Sequence, residues 1–177
     1  AEGQVDVKAI QSWSYINSIN QTNGDKLGAL ATKYLEPMCL YSKTHKDLNA
    51  LPQGATVAIP NDTANTSRAL RLLEEAKLIT LKADFNPVTG TVQDIADNPK
   101  KLNIKLVQGA AGPRVLGDVD LGAIGNTNAL ESGLNVTKDA LFHEQVGDRV
   151  LNNINILATK KDRVNDAALQ KLLSLYH

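Results

Sequence analysis

At 177 residues the chain can fill one ordinary domain or two small lobes sharing a core. Lysine plus arginine and aspartate plus glutamate balance at 19 each, so the net charge is zero. That removes the electrostatic footprint of a nucleic-acid binder and any charge-driven pull toward an anionic membrane. Hydrophobic residues at 42% exclude disorder, and the one cysteine, Cys39, excludes an intramolecular disulfide or a cysteine zinc cluster.

In chain order the pattern alternates strand and helix, which predicts an α/β architecture with a largely parallel sheet. Val5 to Ile10 reads as a strand, and Trp13 to Asn20 as a helix stopped at Asn23-Gly24. Leu27 to Ala31 and Leu35 to Ser42 read as extended, with Pro37 favouring an edge or a bulge. Leu48 to Leu51 makes at most one helical turn. Thr56 to Ile59 is a compact strand stopped by Pro60-Asn61-Asp62, and a helix opens near Thr63. Within it Ala69, Leu72, Leu73 and Ala76 form one apolar stripe.

Asn86, Pro87 and Gly90 predict a turn, and Thr91 to Asp97 a brief helix ended by Asn98-Pro99. Asn103 to Val107 is a strand, after which Gly109, Gly112 and Pro113 break the chain. Val119 to Ile124 is a strand, followed by a helix from Asn126 to Ser132 that Gly133 ends. Ala140 to His143 and Val150 to Ala158 are extended, and Leu169, Leu172, Leu173 and Tyr176 give a last helical stripe.

Ligands in open α/β sheets gather past the carboxyl ends of the strands. Those positions here hold Gln11, Ser12 and Trp13, then Asn61 and Asp62, the turn Gly109 to Arg114, and Gly125, Asn126 and Asn128. Neutral hydrogen-bonding groups dominate, a binding composition more than a catalytic one. No Gly-x-Ser-x-Gly elbow and no phosphate-loop motif is present, and His45, His143 and His177 lack metal-ligand spacing, so neither a catalytic nor a metal site is expected.

Arg68 is the most informative residue. It sits in the first turns of its helix, where unpaired N–H groups favour an anion. Arg71 has Glu74 and Glu75 at i+3 and i+4, whereas Arg68 has Arg71 and Leu72 there, so no acid downstream on its own helix stands where it can neutralise it. Such an arginine suits a bidentate carboxylate grip; the alternative is that it is solvated or pairs with a distant acid. Asn155 interrupts a strand-like run and either knits the core or faces a ligand. Trp13 and Tyr15 either stack on a ligand or serve the core.

The run ATVAIPNDTANTSRALRLLEEAKLI, with AEGQVDVKAIQSWSYI, YLEPMCLYSK, DIADNPKKLNIKLVQGAAGPRVLGDVDLGAI, KDALFHE and NILATKKD, resembles the NlpA-type methionine-binding lipoproteins. The resemblance covers the whole chain. It implies a two-lobed periplasmic-binding-protein fold with an amino acid held between the lobes. Residues 1–53 would belong to the first lobe, 54–136 to the second and 137–177 to a return to the first. It further implies that Arg68 grips the ligand carboxylate, that Asn65 and Asn155 lie near its polar end, and that Gln11, Ser12, Trp13 and Tyr15 line the side-chain pocket. Arg114, in a Pro-Arg pair found in the family, is a weaker candidate.

Two departures bear on the ligand. The family's Phe-Gln-His-Lys-Pro-Tyr is Ile10-Gln11-Ser12-Trp13-Ser14-Tyr15 here, so Ser12 replaces a histidine and an aromatic appears at Trp13. The family's Ile-Asn-Thr-Asn-Tyr-Ala becomes Ile124-Gly125-Asn126-Thr127-Asn128-Ala129, so its ligand-facing asparagine is either lost at Gly125 or supplied by Asn126. The family's signal peptide, lipidated cysteine and first strand–helix–strand unit are expected to lie outside this sequence. Cys39, inside a strand, is not expected to be the anchor.

The implied protein is a non-enzymatic receptor of the periplasm or cell envelope, lipid-anchored at full length and without cofactors. It would bind methionine or a similar amino acid and serve an ABC permease and its ATPase. The alternatives are a cleft enzyme acting on a small acid, against which the lack of an acid–base pair speaks, and an envelope interaction protein with altered or no amino-acid binding.

Overall fold

The computed structural model describes residues 5–10, 12–35, 37–145 and 154–174. The strands are β1 (Lys8–Ile10), β2 (Leu27–Leu35), β3 (Met38–Tyr41), β4 (Thr56–Pro60), β5 (Thr80–Leu81), β6 (Ile95–Asp97), β7 (Asn103–Val107), β8 (Leu121–Gly125), β9 (Ala140–His143) and β10 (Ile154–Lys160). The helices are α1 (Trp13–Asn23), α2 (Thr63–Glu75), α3 (Gly112–Val115), α4 (Asn126–Glu131), α5 (Val136–Asp139) and α6 (Ala167–Ser174). They form two compact units, one of residues 1–36 and 146–177, the other Pro37–Gln145. The boundaries expected at 53/54 and 136/137 both fall inside the second unit, because β3 and β9 pair with its sheet.

In the first unit β10 lies between β1 and β2, antiparallel to both. The two-residue period of a strand sends Ile156 and Ala158 to one face and Leu157 to the other. Ile16 of α1 covers the first pair, together with Leu27 and Ala29. Leu169 of α6 meets Leu157 and Leu30 on the opposite face. Leu172, expected in the same stripe, is exposed, and Tyr176 lies outside the described residues.

Helix α1 starts where the Ser12 hydroxyl accepts the Tyr15 N–H at 3.2 Å and stops at Gly24 with φ +82°. The Asn20 amide then ties the helix to β2, exchanging hydrogen bonds of 2.8 and 3.0 Å with the backbone of Leu27.

The second unit holds a five-stranded sheet in the order β7-β4-β8-β3-β9. Strand β4 is parallel to β7 and β8, while β3 runs antiparallel to β8 and β9. The sheet is therefore mixed, and the sheet of the first unit is antiparallel, against the expectation of a largely parallel one. The apolar run at β3, buried on both faces, has the composition of a parallel strand without its direction. Strand β3 is also interior rather than an edge, because the strand begins at Met38 and leaves Pro37 outside the ladder.

Alternation again sorts the core. Leu40, Val57, Ile59 and Leu121 face α2 and pack with Leu70, Leu72 and Leu73, whereas Cys39, Tyr41, Ala58 and Ile124 pack with Leu116 on the other face. Each such fully buried leucine contributes about 1.5–3 kcal/mol of apolar transfer. In α2 the expected stripe is wider: Ala69, Leu72 and Leu73 are joined by Ala64, Thr66, Ser67 and Leu70, while Ala76 sits at the C-cap.

Two local expectations are corrected. Thr91 to Asp97 is a single 3₁₀ turn followed by β6, which pairs with β5. The segment at Gly109 and Gly112 is a 3₁₀ turn running directly into α3 rather than a plain break. Proline at the start of α3 fits because a first-turn residue has no intrahelical N–H bond to lose.

Candidate functional site

The carboxyl ends of β4 and β8 and the start of β3 fall along one edge of the five-stranded sheet, since the register sets Met38 opposite Gly125. Helix α2 rises from this edge directly after β4. Asp62 caps it, its Oδ1 accepting the Asn65 N–H at 3.1 Å. The Asn65 side-chain amide donates back to both Asp62 oxygens at 3.0 and 3.1 Å. The start of α2 thus already holds a carboxylate, the protein's own. The Thr66 hydroxyl donates to Pro60 O at 2.7 Å and seats the first turn on the strand end.

One turn further on, Arg68 meets Glu144. Its Nε donates to the two carboxylate oxygens at 2.9 and 3.1 Å, and Nη2 donates to Oε2 at 2.5 Å. The side chains are 11% and 7% exposed, so this is a buried, bidentate, charge-assisted pair. The Met38 N–H donates to Glu144 Oε2 at 3.1 Å, and the Glu144 N–H donates to Met38 O at 3.1 Å. Glu144 is in this way clamped to the first residue of β3 through both its side chain and its backbone.

The sequence leaves Arg68 either to grip a ligand carboxylate or to be solvated or paired with a distant acid. Its own helix offers no acid at i+3 or i+4, where Arg71 and Leu72 stand, and the distant acid left open as the alternative is what the fold supplies 76 positions away. A search along α2 alone does not reach Glu144. The available signal was an acidic residue placed directly after the short apolar strand Ala140–His143, in a sheet whose edge carries the polar groups. Beneath the pair, burial pushes the Cys39 thiol up from its ordinary range and Glu144 adds to this, against the lowering effects of the Tyr41 hydrogen bond and Arg68. Cys39 is a fully buried neutral thiol inside β3.

Asn126 opens α4 at the end of β8, one residue after Gly125. Its side-chain Oδ1 is buried with no hydrogen-bond partner among the described residues. A buried acceptor left unmatched costs about 1–3 kcal/mol, so this oxygen is suited to an external donor. Arg114, on α3, is exposed.

Arg68, Asn65, Asn126 and Arg114 belong to the second unit, and Gln11, Ser12, Trp13, Tyr15 and Asn155 to the first. Gln11 lies outside the described residues. Ser12 is the N-cap of α1, Trp13 is its first residue at 40% exposure, and Tyr15 is half-buried. Asn155 lies in β10. Among the described residues no group of three or more His, Cys, Asp or Glu side chains is arranged to hold a metal ion.

The family model described as NlpA lipoprotein matches residues 1–177. This chain belongs to the NlpA lipoprotein family. It is 39% identical over 176 residues to Lipoprotein 28 of Escherichia coli O157:H7, covering 98% of this chain and 63% of that protein. It is 38% identical over 177 residues to a probable D-methionine-binding lipoprotein MetQ of Haemophilus influenzae, covering 99% of this chain and 63% of that one. A solved nutrient binding protein from Burkholderia cenocepacia bound to methionine superposes with a TM-score of 0.92 at 38% identity. The match covers 98% of this chain and 72% of that structure. The NlpA-family chain described here therefore spans a little under two thirds of the curated relatives it matches. The strong structural likeness establishes the α/β fold of periplasmic substrate-binding proteins.

Proposed function

We propose that the protein is a substrate-binding component of an ABC importer that captures an amino acid, methionine foremost, and delivers it to a membrane permease driven by its ATPase. It acts as a receptor and not as an enzyme, lipid-anchored in the cell envelope. The observation that carries this reading is the buried Arg68–Glu144 pair at the sheet's carboxyl edge, in a chain 38% identical to a methionine-bound binding protein. The support is no longer that the arginine lacks a partner. It is that the guanidinium is held in one orientation before any ligand arrives, which lowers the ordering cost of binding.

In this reading Arg68 takes the ligand carboxylate and the Asn126 oxygen accepts from its ammonium group. Asn65 and Asn155 assist at the polar end, Arg114 is a secondary contributor, and Gln11, Ser12, Trp13 and Tyr15 recognise the side chain. Calorimetric titration of L- and D-amino acids and their short peptides tests it. Saturable binding of methionine or a near relative is expected, and a flat response across the panel would refute the reading.

A second reading is favoured by the same pair: an envelope protein that keeps the fold for interaction with altered or no amino-acid binding. Glu144 already supplies the carboxylate that a ligand would otherwise bring to Arg68. The flat titration is the result that this second reading expects.

A further inference from the structure

We propose that Glu144 is a positioning and specificity-determining residue that, through Arg68, makes the site select a zwitterionic α-amino acid over the matching monocarboxylate anion. The inference rests on the amino-acid-binding reading above and deepens it.

Glu144 accepts from Arg68 Nε, Arg68 Nη2 and the Met38 N–H, and its own N–H is bonded to Met38 O. The carboxylate is thus fixed to the backbone of an interior strand and acts as a template for one edge of the guanidinium. Stability alone does not account for so buried a pair, because well-packed apolar residues of similar volume commonly serve a fold as well or better.

The consequence for ligands is electrostatic. An uncompensated buried guanidinium attracts any anion. With a carboxylate about 3 Å away the long-range field of the cation is largely cancelled, and directional hydrogen bonding remains. Asp62, capping the same helix, adds a second negative group on that edge. A monoanion gains little net attraction from such a site. A zwitterion brings its own positive end, for which the buried Asn126 Oδ1 is an acceptor. Discrimination then arises partly by disfavouring the wrong charge type.

The test compares methionine with its deaminated analogue, 4-(methylthio)butanoate, by calorimetry on the full chain as wild type, Glu144→Gln and Glu144→Asp, with melting temperatures recorded in parallel. The wild type is expected to prefer methionine. In Glu144→Gln the ratio of the two affinities is expected to shift toward the analogue by about tenfold or more, with Glu144→Asp restoring part of the preference. An unchanged ratio in a folded Glu144→Gln protein overturns the proposal, even if its melting temperature falls, because a merely structural role lowers stability without changing charge selectivity. Should Glu144→Gln fail to fold, Glu144→Asp decides. A methionine affinity lower by about tenfold in a folded protein supports positioning, and wild-type affinity overturns it. If the wild type binds neither compound, the amino-acid reading itself has failed and this inference falls with it.

Discussion

Arg68 and Glu144 stand 76 positions apart and are joined by Nε contacts of 2.9 and 3.1 Å and an Nη2 contact of 2.5 Å. The pair fastens α2 to the segment after β9 and, through the Met38 N–H, to the start of β3. Three elements of the Pro37–Gln145 unit therefore meet at two side chains.

Breaking the pair from one side leaves a buried charge without compensation. Arg68→Ala and Glu144→Ala are each expected to cost about 3–5 kcal/mol in denaturant unfolding. Removing both charges with residues of similar bulk, Arg68→Met with Glu144→Leu, is expected to come within about 1–2 kcal/mol of wild type or to exceed it. Additive losses in the double variant would show that the two side chains act independently.

A second pair sets an acid limit on stability. Asp120 Oδ1 lies 3.0 Å from His45 Nε2, and its Oδ2 accepts the Thr56 N–H at 2.8 Å, tying the start of β4 to the loop before β8. The His45 contact first, then the Thr56 N–H, hold the Asp120 carboxyl below its usual range against an opposing effect of burial. A depressed native pKa contributes stability that is fully present above the unfolded value, about 3.9, and is lost as the pH falls through the lower native value. Asp120→Asn is therefore expected to lower the melting temperature at neutral pH. Its deficit relative to wild type should shrink below about pH 4. A deficit independent of pH would mean that the carboxylate's charge is not what stabilises this contact.

Trp13 distinguishes recognition from packing. At 40% exposure it does not fill the core, which Ile16 fills on the same helix. Trp13→Ala is expected to cost less unfolding free energy than the roughly 3–5 kcal/mol typical of a fully buried tryptophan. In the proposed reading it weakens methionine binding all the same. A large stability loss with unchanged affinity would return this residue to the core.

Much of this structure was legible in the sequence wherever one physical rule dominated. Helix α2 combines a capping aspartate, a periodic apolar face and a preceding strand closed by Pro60, and all three agree. The short helix read into Thr91 to Asp97 shows the limit. Thr91 and Asp94 do form a capping box, but the turn it starts ends after one round because Ile95 and Asp97 pair with Leu81 and Thr80. A nearby strand partner outweighed a local start signal, and that partner is not visible in the segment itself.

The direction of β3 was hidden for a related reason: burial on both faces fixes composition and leaves polarity to topology. At the site, the types and positions of Arg68, Asn65 and Asn126 could be read from the chain. The Glu144 contact could not, because it depends on how β9 returns beside β3. The helix start near Thr63 is legible in the chain, whereas the capping of that start by the Asp62 carboxylate is a property of the folded turn.

The most direct test of the account is titration of methionine into wild type and into the Arg68→Met, Glu144→Leu double variant, which is expected to stay folded. The account predicts saturable binding by the wild type and a loss of about 2–5 kcal/mol of affinity in the folded double variant. Wild-type binding by the double variant, or no binding by either protein, would contradict it.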